Sequence, residues 1–330
     1  MSNNMDFNQP YAGRLTELHL HLDGSLRPAS VVELAKQQNI QLPTEDLEEL
    51  TSEYLQVSED CTDLVACLKR FELPVRILGT PEAIRRAAFD LTEDLAGENY
   101  EYAEIRFAPQ YANKTGYSQE EYVQAAIDGM QDALAKYPSM KAGLILCCMR
   151  GADLREENME TIRQTAKYLG SGVCAADLAG AESLFPTEIF EDVFALAKQL
   201  DIPYTIHAGE AAGPDSIRCA LKMGAYRIGH GVHAIDDPDL VKELARTGTC
   251  LEVSLTSNLQ IQAYPTAESH PLGVLYRAGV HTTVNSDNRT LSNVTLKSEI
   301  EKVKRAFHLT NEDIQIMQQY AREAAFDRLV

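Results

Sequence analysis

Histidine residues cluster in a few short apolar segments of this sequence. His19 and His21 form an H-L-H triplet within residues 15–23, and His207 closes a second apolar segment. Both segments read as β-strands, in which alternate side chains point to one face, so the two imidazoles of the triplet lie side by side. Neutral imidazoles held on a rigid strand are good ligands for Zn²⁺. An isolated H-x-H pair is as often two ordinary histidines, so the residues that accompany it decide the interpretation.

Asp287 supplies a carboxylate that would complete such a site. It follows the last β-type segment of the chain. If parallel strands close into a barrel, their carboxyl ends converge on one face, where the three histidines and Asp287 can meet. This set suits one Zn²⁺ per chain and leaves a position for a water, whose pKa falls to about 7 on zinc. For each residue, a role in orienting a metal ligand stays open as the alternative.

Two further residues are placed to move protons. Glu210 follows His207 by three positions, and a dry pocket would raise its pKa so that it serves as a general acid. A glutamate favoured by the dipole at a helix N-terminus is the alternative. His230, in R-I-G-H-G-V-H, is expected at the end of the sixth strand, where it could take a proton from the attacking water. His233 fits a structural or supporting role better.

A regular alternation of strands and helices is needed to position these residues. Segments rich in Val, Ile, Leu, Thr and Tyr predict strands at residues 15–23, 100–108, 141–149, 172–178, 203–208, 226–233, 249–255 and 281–286. Amphipathic helices are predicted between most of them, at residues 156–169, 188–200, 215–222 and 237–246, and Ser118 to Glu121 has the form of a capping box. This α/β pattern predicts a parallel (β/α)8 TIM-type barrel, with an open doubly wound sheet as the alternative.

The first connection, residues 26–99, is far longer than the others. It contains helical segments at residues 61–78 and 81–95, so we expect a long helical insertion after the first strand, lying over the barrel mouth. Leu68 and Phe71 are candidates for a lid that excludes water, although an apolar helix stripe more often belongs to the core. Extra C-terminal helices are predicted near residues 294–307 and 311–326. A single barrel domain over residues 1–330 is expected.

Composition restricts the partners and the compartment. Hydrophobic residues make up 45% of the chain, which is typical of a globular protein with a sizeable core. The net charge of −19, without a basic cluster, disfavours nucleic acid and anionic membranes and favours a small molecule. Residues 1–13 lack the pattern of a signal peptide, so a cytoplasmic location is expected. Seven cysteines without C-x-x-C spacing favour free thiols. The oligomeric state is left open.

The motifs together resemble the adenosine deaminase family of metal-dependent amidohydrolases, in its bacterial form. The matching stretches are T-E-L-H-L-H-L-D-G-S-L-R-P (16–28), E-Y-A-E-I-R-F-A-P (101–109), D-L-A-G-A-E (177–182), H-A-G-E (207–210), R-I-G-H-G (227–231) and N-S-D-N (285–288). H-x-H is shared by the wider superfamily, whereas the ordered set is specific. The resemblance implies a (β/α)8 barrel that converts adenosine, and with it 2′-deoxyadenosine, to the inosine product and ammonia.

The resemblance also implies metal and proton-transfer roles. The implied zinc ligands are His19, His21, His207 and Asp287. Glu210 would protonate N1 of the purine, and His230 would orient or deprotonate the water.

Substrate contacts follow from the same resemblance. His21 would lie close to the substrate, Asp23 would bond the ribose 5′-hydroxyl, and the backbone of Gly180 would approach N3, where a side chain would obstruct the purine. A turn aspartate and a turn glycine are the alternatives. Adenine deaminase relatives tend to carry Glu in place of Asp23. Two departures stand out: Asn288 replaces a commoner aspartate, though its amide can donate to N7, and Ala181 replaces an aspartate to which we assign no role.

Three alternative functions remain from sequence. The site could prefer another 6-aminopurine, such as adenine, a thio-substituted adenosine or a 5′-modified adenosine. An amidohydrolase acting on an amide or ester would use the same metal and water. A catalytically silent barrel serving as a binding module would be expected to have lost a ligand, and none of the implied residues is missing.

Overall fold

The computed structural model describes residues 9–58 and 61–326. Residues 1–8, part of the segment that lacks the pattern of a signal peptide, lie outside the described residues, as do residues 59, 60 and 327–330. The strands are β1 Leu15–His21, β2 Tyr100–Phe107, β3 Lys141–Met149, β4 Val173–Ala179, β5 Thr205–Ala208, β6 Arg227–His230, β7 Cys250–Val253 and β8 Thr282–Val284. The α-helices are α1 Pro28–Gln37, α2 Leu47–Glu49, α3 Leu64–Leu68, α4 Glu72–Ile77, α5 Pro81–Gly97, α6 Gln119–Lys136, α7 Arg155–Tyr168, α8 Glu191–Gln199, α9 Pro214–Met223, α10 Pro238–Thr247, α11 Leu255–Gln260, α12 Leu272–Arg277, α13 Leu296–Phe307 and α14 Asn311–Ala324.

The parallel strands close into a barrel. Strands β1 to β4 pair in order, and so do β5 to β8. The two sheets join where Ala176 bridges Tyr204 and where Leu20 bridges Asp287. At the second junction, the backbone N–H of His21 donates to the carbonyl oxygen of Asp287 at 2.7 Å. The predicted (β/α)8 barrel is therefore confirmed, and the open sheet is excluded.

Strand ends differ from the prediction where the backbone turns sharply. The strand predicted for residues 226–233 ends at His230. His230 has a φ of 59° and Gly231 a φ of 67°, and a left-handed residue cannot continue an extended strand. The strand predicted for residues 249–255 likewise ends at Val253, since Ser254 is already the N-cap of α11. Hydrophobic runs therefore extend beyond these strands into the turns that carry polar side chains.

The helices between the strands follow the prediction closely. Ser118 and Glu121 form the predicted capping box at the start of α6. The helix predicted for residues 188–200 begins as a 3₁₀ turn, Thr187–Phe190, before α8. These helices pack their apolar faces on the barrel, where Leu20 of β1 is fully buried in the main apolar cluster.

The long connection between β1 and β2 holds α1 to α5 and a π-helical turn, Leu50–Leu55. The helix predicted for residues 61–78 is broken into α3, a 3₁₀ turn Lys69–Phe71, and α4. Asp63 starts α3 by accepting a bond from the backbone N–H of Ala66 at 2.9 Å. Pro74 lies in the first turn of α4, where its missing N–H is tolerated but would have interrupted a continuous helix.

Two of the seven cysteines correct the prediction of free thiols. Cys61 and Cys67 form a disulfide, with Cα atoms 5.8 Å apart. The turn capped by Asp63 brings the two residues together, a local geometry that spacing alone did not indicate. Cys147, Cys148, Cys174, Cys219 and Cys250 are free.

Buried charges anchor the end of the chain to the barrel interior. Arg227, at the amino end of β6, donates to Glu104 at 2.5 Å and to the carbonyl oxygen of Ala324 at 2.7 Å. The backbone N–H of Phe326 donates to Glu104 at 2.6 Å, and the guanidinium of Arg227 lies 3.9 Å from the centre of the Phe326 ring. The segment after α14 therefore closes the end of the barrel opposite the strand carboxyl ends. Within the described residues, no helix is long and apolar enough to cross a bilayer.

Candidate metal centre and active site

A cavity opens at the carboxyl ends of the strands. The residues predicted from sequence that line it are His21, Asp23, Gly180, His207, Glu210, His230, Asp287 and Asn288. His19 is fully buried below its floor. Leu68 and Phe71, the predicted lid residues, also line the cavity, and the ring centre of Phe71 lies 6.5 Å from that of His21. The structure thus gathers every predicted site residue around one space.

Nitrogen and oxygen atoms converge at the base of the cavity. Nε2 of His21 lies 3.3 Å from Nε2 of His207 and 3.4 Å from Oδ1 of Asp287. Nε2 of His19 lies 3.5 Å from the same Asp287 oxygen. One nitrogen each from His19, His21 and His207 can be chosen so that all three lie within 4.8 Å of one another. This cluster could hold a metal ion.

Hydrogen bonds on the far side of the imidazoles favour metal binding. Nδ1 of His19 lies 2.9 Å from Glu252, and Nδ1 of His207 lies 3.0 Å from Asp177. A proton shared with a carboxylate at Nδ1 leaves the Nε2 lone pair free for a metal. Nε2 of His19 is buried without a hydrogen-bond partner. A buried, unpaired lone pair is costly, so the donor set fits a metal ion.

Arg106 links the two supporting carboxylates. Its guanidinium donates to Glu252 at 2.8 Å and to Asp177 at 3.1 Å, and all three side chains are fully buried. Their role was not predicted from the sequence. The sequence feature that could have indicated them is a charged residue inside an otherwise apolar strand, as in the E-I-R of β2. A buried charge requires a partner, so such a residue predicts an ion pair inside the barrel.

Glu210 lies in the cavity, in contact with His230. Oε1 of Glu210 is 3.4 Å from Nε2 of His230. Burial, followed by the negative charges of Asp287 and Glu182, raises the pKa of Glu210 well above its usual range. The group is therefore suited to carry a proton near neutral pH. Its position before the N-cap of α9 at Gly213 disfavours the alternative of a helix-dipole glutamate.

Glu182 holds the loop that carries Glu210. Its carboxylate accepts bonds from the backbone N–H groups of Gly209, Glu210, Ala211 and Ala212, at 2.7 to 3.1 Å. It also accepts a bond from the hydroxyl of Ser216 at 2.5 Å. This is a second group that sequence reasoning missed, although it stands beside the departure at Ala181. It fixes the loop and adds the negative charge that helps to keep Glu210 protonated.

Two residues of the site, His230 and Asp287, have a left-handed backbone conformation. His230 has a φ of 59° and Asp287 a φ of 60°. A non-glycine residue in such a conformation costs about 1–3 kcal/mol and persists only where its surroundings impose it. His230 ends β6 and Asp287 lies three residues beyond β8, and the turn at each residue directs its side chain into the cavity.

Asp23 and Asn288, which line the cavity, each carry a polar atom that has no hydrogen-bond partner. Oδ1 of Asp23 and Oδ1 of Asn288 are buried and make no hydrogen bond, and burial raises the pKa of Asp23 to about 7. Gly180 has a φ of 108°, which a side chain rarely adopts. A Cβ there would lie 3.3 Å from Cβ of Arg150. Both the backbone conformation and the contact with Arg150 therefore favour glycine at this position, in addition to the predicted obstruction of a purine by a side chain.

His233 lies outside the cavity lining. Its Nδ1 is 2.9 Å from Asp236, and its ring stacks on Tyr264 with centres 5.7 Å apart. These contacts agree with the structural role expected for it.

The sequence of this chain is similar to those of known proteins over most of its length. The family model described as Adenosine deaminase matches residues 15–328. An adenosine deaminase of Haemophilus ducreyi is 46% identical over 297 residues, covering 89% of this chain and 86% of that protein. An adenosine deaminase of Lacticaseibacillus casei is 39% identical, covering 98% of this chain and 94% of that protein.

Solved structures share the fold. The crystal structure of an adenine deaminase from Arthrobacter aurescens has a TM-score of 0.85 at 25% identity, covering 96% of this chain and 94% of that one. The crystal structure of an Arabidopsis N6-mAMP deaminase has a TM-score of 0.82 at 24% identity, covering 96% of this chain and 94% of that one; this likeness shows the fold alone.

Proposed function

The chain belongs to the adenosine deaminase family, and from this premise we propose that it hydrolyses adenosine and 2′-deoxyadenosine to the inosine product and ammonia. One observation carries the proposal: a buried glutamate with a raised pKa adjoins a His/Asp cluster in a single cavity. Such a pair supplies an acid for the purine and a place for a metal. The family relationship favours this reaction over adenine deamination, amide hydrolysis and a silent barrel.

We propose that the metal is Zn²⁺, one per chain, held by His19, His21, His207 and Asp287. Three imidazoles and a carboxylate suit zinc and leave one position open. When bound, zinc would supply a water of lowered pKa beside the substrate.

The protein's own residues then carry the proton transfers. Glu210 donates its proton to N1 of the purine, which makes C6 electrophilic. His230, beside Glu210, orients the water that attacks C6. Asp287, whose Oδ2 lies 4.0 Å from Nε2 of His230, assists the loss of the water's proton. The C6–N bond then breaks and ammonia leaves with the proton so released. The remaining hydroxyl proton of the adduct passes to Glu210, which forms the 6-oxo product and restores the protonated acid.

Three residues that line the cavity orient the substrate: Asn288, Gly180 and Asp23. The amide of Asn288 donates to N7, and the backbone of Gly180 approaches N3. Asp23 accepts a bond from the 5′-hydroxyl of the sugar, which suits its unpartnered buried oxygen. Leu68 and Phe71 cover the ligand and exclude water.

The charge of the cavity favours a nucleoside over a nucleotide. Among the described residues that line it, Arg150 is the one Lys or Arg side chain. Its guanidinium already donates to the carbonyl oxygens of Phe185 and His207, both at 2.6 Å, and to the hydroxyl of Thr187 at 2.9 Å. A 5′-phosphate would find no free cation, and Asp23 would repel it.

A substrate panel tests the proposal. Metal-loaded protein is incubated with adenosine, 2′-deoxyadenosine, adenine and AMP, and the change in ultraviolet absorbance is followed. The two nucleosides are expected to be turned over fastest. If no 6-aminopurine is turned over, the deaminase proposal is wrong, and if adenine or AMP is preferred, the assignment of the nucleoside is wrong.

Removal of the Asp23 carboxylate should affect nucleosides selectively. In Asp23→Ala, kcat/KM for adenosine should fall by roughly 10–100-fold, since a hydrogen bond to a charged group contributes about 1.5–3 kcal/mol. The value for adenine, which lacks the sugar, should change much less. Steady-state kinetics with both substrates measure the difference, and equal losses would show that Asp23 does not contact the sugar.

Neutralising a supporting carboxylate should weaken metal binding. In Asp177→Asn, the Zn²⁺ affinity should fall by about 10–100-fold, the usual cost of losing a partner that orients a metal ligand. Arg106 keeps its bond to Glu252, which limits the damage to the fold. Competition with a chromophoric chelator measures the affinity, and exposed Asp192→Asn is the matched control. An affinity equal to that of the control variant would remove Asp177 from this role.

A further inference from the structure

A series of buried hydrogen bonds runs from the backbone of α12 to Nδ1 of His230, the ring nitrogen opposite the one that faces Glu210 and Asp287. The N–H of Leu272 is 3.2 Å from Nδ1 of His270. Nε2 of His270 is 3.2 Å from Oδ1 of Asn258 in α11, and Nδ2 of Asn258 is 3.0 Å from Nδ1 of His230. Asn258 is fully buried, and His270 and His230 are nearly so. None of the roles proposed above uses Asn258 or His270.

The hydrogen bond from Leu272 to His270 determines which atom donates in each of the following hydrogen bonds. A backbone N–H can only donate, so Nδ1 of His270 must be the unprotonated acceptor. His270 is therefore neutral, and its proton is on Nε2. Burial, and secondarily the charge of His233, lowers the pKa of His270 to about 3, which agrees with the neutral form. The Nε2 proton then points to Oδ1 of Asn258, which accepts it.

The orientation of the Asn258 amide determines which nitrogen of His230 carries the proton. With Oδ1 accepting from His270, the Nδ2 group of Asn258 faces His230 and donates to its Nδ1. Nδ1 of His230 must then be unprotonated, and the proton of the neutral ring must be on Nε2. That nitrogen faces Glu210 and Asp287.

A flipped Asn258 amide is incompatible with the hydrogen bonds of His270. If the Asn258 amide were flipped, its Nδ2 group would donate to Nε2 of His270. His270 would then accept at both ring nitrogens, because Leu272 already donates to the other. A neutral imidazole has only one acceptor nitrogen, so the flip would leave a buried donor unpaired, at a cost of about 1–3 kcal/mol.

We infer that Asn258 is a positioning residue that holds the proton of His230 on Nε2, and that His270 fixes the orientation of the Asn258 amide. This inference rests on the proposed function, in which His230 orients the attacking water. With its proton on Nε2, His230 presents an N–H to the oxygen of that water and holds it by donation. Asn258 itself lies outside the cavity lining, so it acts through His230.

The tautomer can be observed directly. Metal-loaded protein labelled with ¹⁵N-histidine is examined by long-range ¹H–¹⁵N correlation NMR, and the His230 signals are assigned by comparison with His230→Gln. The ring of His230 in the unsubstituted protein should show a protonated Nε2 and an unprotonated Nδ1. A proton on Nδ1 would overturn the inference without any variant at Asn258. The measurement does not require turnover, so failure of the proposed function would be recognised separately, in the substrate panel.

The variant Asn258→Asp reverses the last link. A carboxylate can accept both from Nε2 of His270 and from Nδ1 of His230, so the proton of His230 should move to Nδ1. We expect kcat for adenosine to fall by roughly 10²–10⁴-fold, the range for a lost proton donor or a wrong histidine tautomer. KM should change little, because Asn258 does not contact the substrate.

The control is Asn293→Asp, the same chemical change at an exposed asparagine, which should leave both the tautomer and kcat unchanged. A kcat in Asn258→Asp equal to that of the control, with the His230 proton moved, would show that the tautomer does not matter to the reaction and would overturn the inference. A proton that stays on Nε2 in Asn258→Asp would show that Asn258 does not determine its place.

Discussion

Replacing Glu210 by glutamine is expected to lower kcat for adenosine by about 10²–10⁴-fold, the usual contribution of a positioned general acid. Glutamine has the same size and keeps the backbone bonds that the loop makes to Glu182. Its amide can donate a hydrogen bond to N1 but cannot give up a proton at neutral pH. KM should therefore change far less than kcat.

The pH dependence provides a second sign of the same role. Because the pKa of Glu210 is raised, its protonated form persists to higher pH than an ordinary glutamate's. The kcat/KM of the unsubstituted enzyme should fall as the pH rises through that pKa, and this limb should be absent from the residual activity of Glu210→Gln. Exposed Glu188→Gln is the matched control. A kcat in Glu210→Gln within about tenfold of the control, below the range for a general acid, would contradict the role.

The variant His207→Ala is expected to lose both the metal and the activity. It removes an imidazole whose Nε2 lies 3.3 Å from that of His21 and whose Nδ1 is held by Asp177. Loss of a direct ligand should exceed the 10–100-fold cost of losing an orienting partner, so we expect a fall in metal affinity of at least about 10³-fold. Atomic absorption on purified protein measures the metal content, and adenosine turnover should fall in parallel.

His233→Ala is the matched control for this variant. His233 lies near the site but outside the cavity lining, bonded to Asp236. The control should keep its metal. An unchanged metal content in His207→Ala would remove His207 from the ligand set, and a loss in His233→Ala would show that the structural role given to His233 is incomplete.

Local sequence patterns predicted the barrel and the histidines and carboxylates at its base, whereas Asp23, Gly180 and Asn288 were predicted from the family resemblance. The H-L-H triplet of β1 could be read as two side chains on one face, since the period of a strand is two residues. The strands of a barrel converge at their carboxyl ends, so His207 and Asp287 could be placed beside the triplet. The ends of β6 and β7 could not be placed in the same way, because hydrophobic residues continue through the left-handed turn at His230 and past the N-cap Ser254.

The partners of the site residues were beyond reach of the sequence. Glu252 lies 233 positions from His19 along the chain, and no periodicity indicates which charged residue faces which across a barrel. Asn258 lies in α11 and His270 in the bend before α12, and their link to His230 depends on side-chain orientation. The Cys61–Cys67 disulfide depends on a turn set by Asp63. In each case tertiary packing decides the contact.

The most direct test of metal-dependent adenosine deamination is a titration of the metal-stripped protein. Zn²⁺ is added in steps to protein treated with a chelator, and the ammonia released from adenosine is measured at each step. Ammonia release is predicted to be absent at the start, to rise in proportion to added Zn²⁺, and to level off at one ion per chain. Full activity of the stripped protein, or no ammonia at any zinc content, would contradict this account of the site.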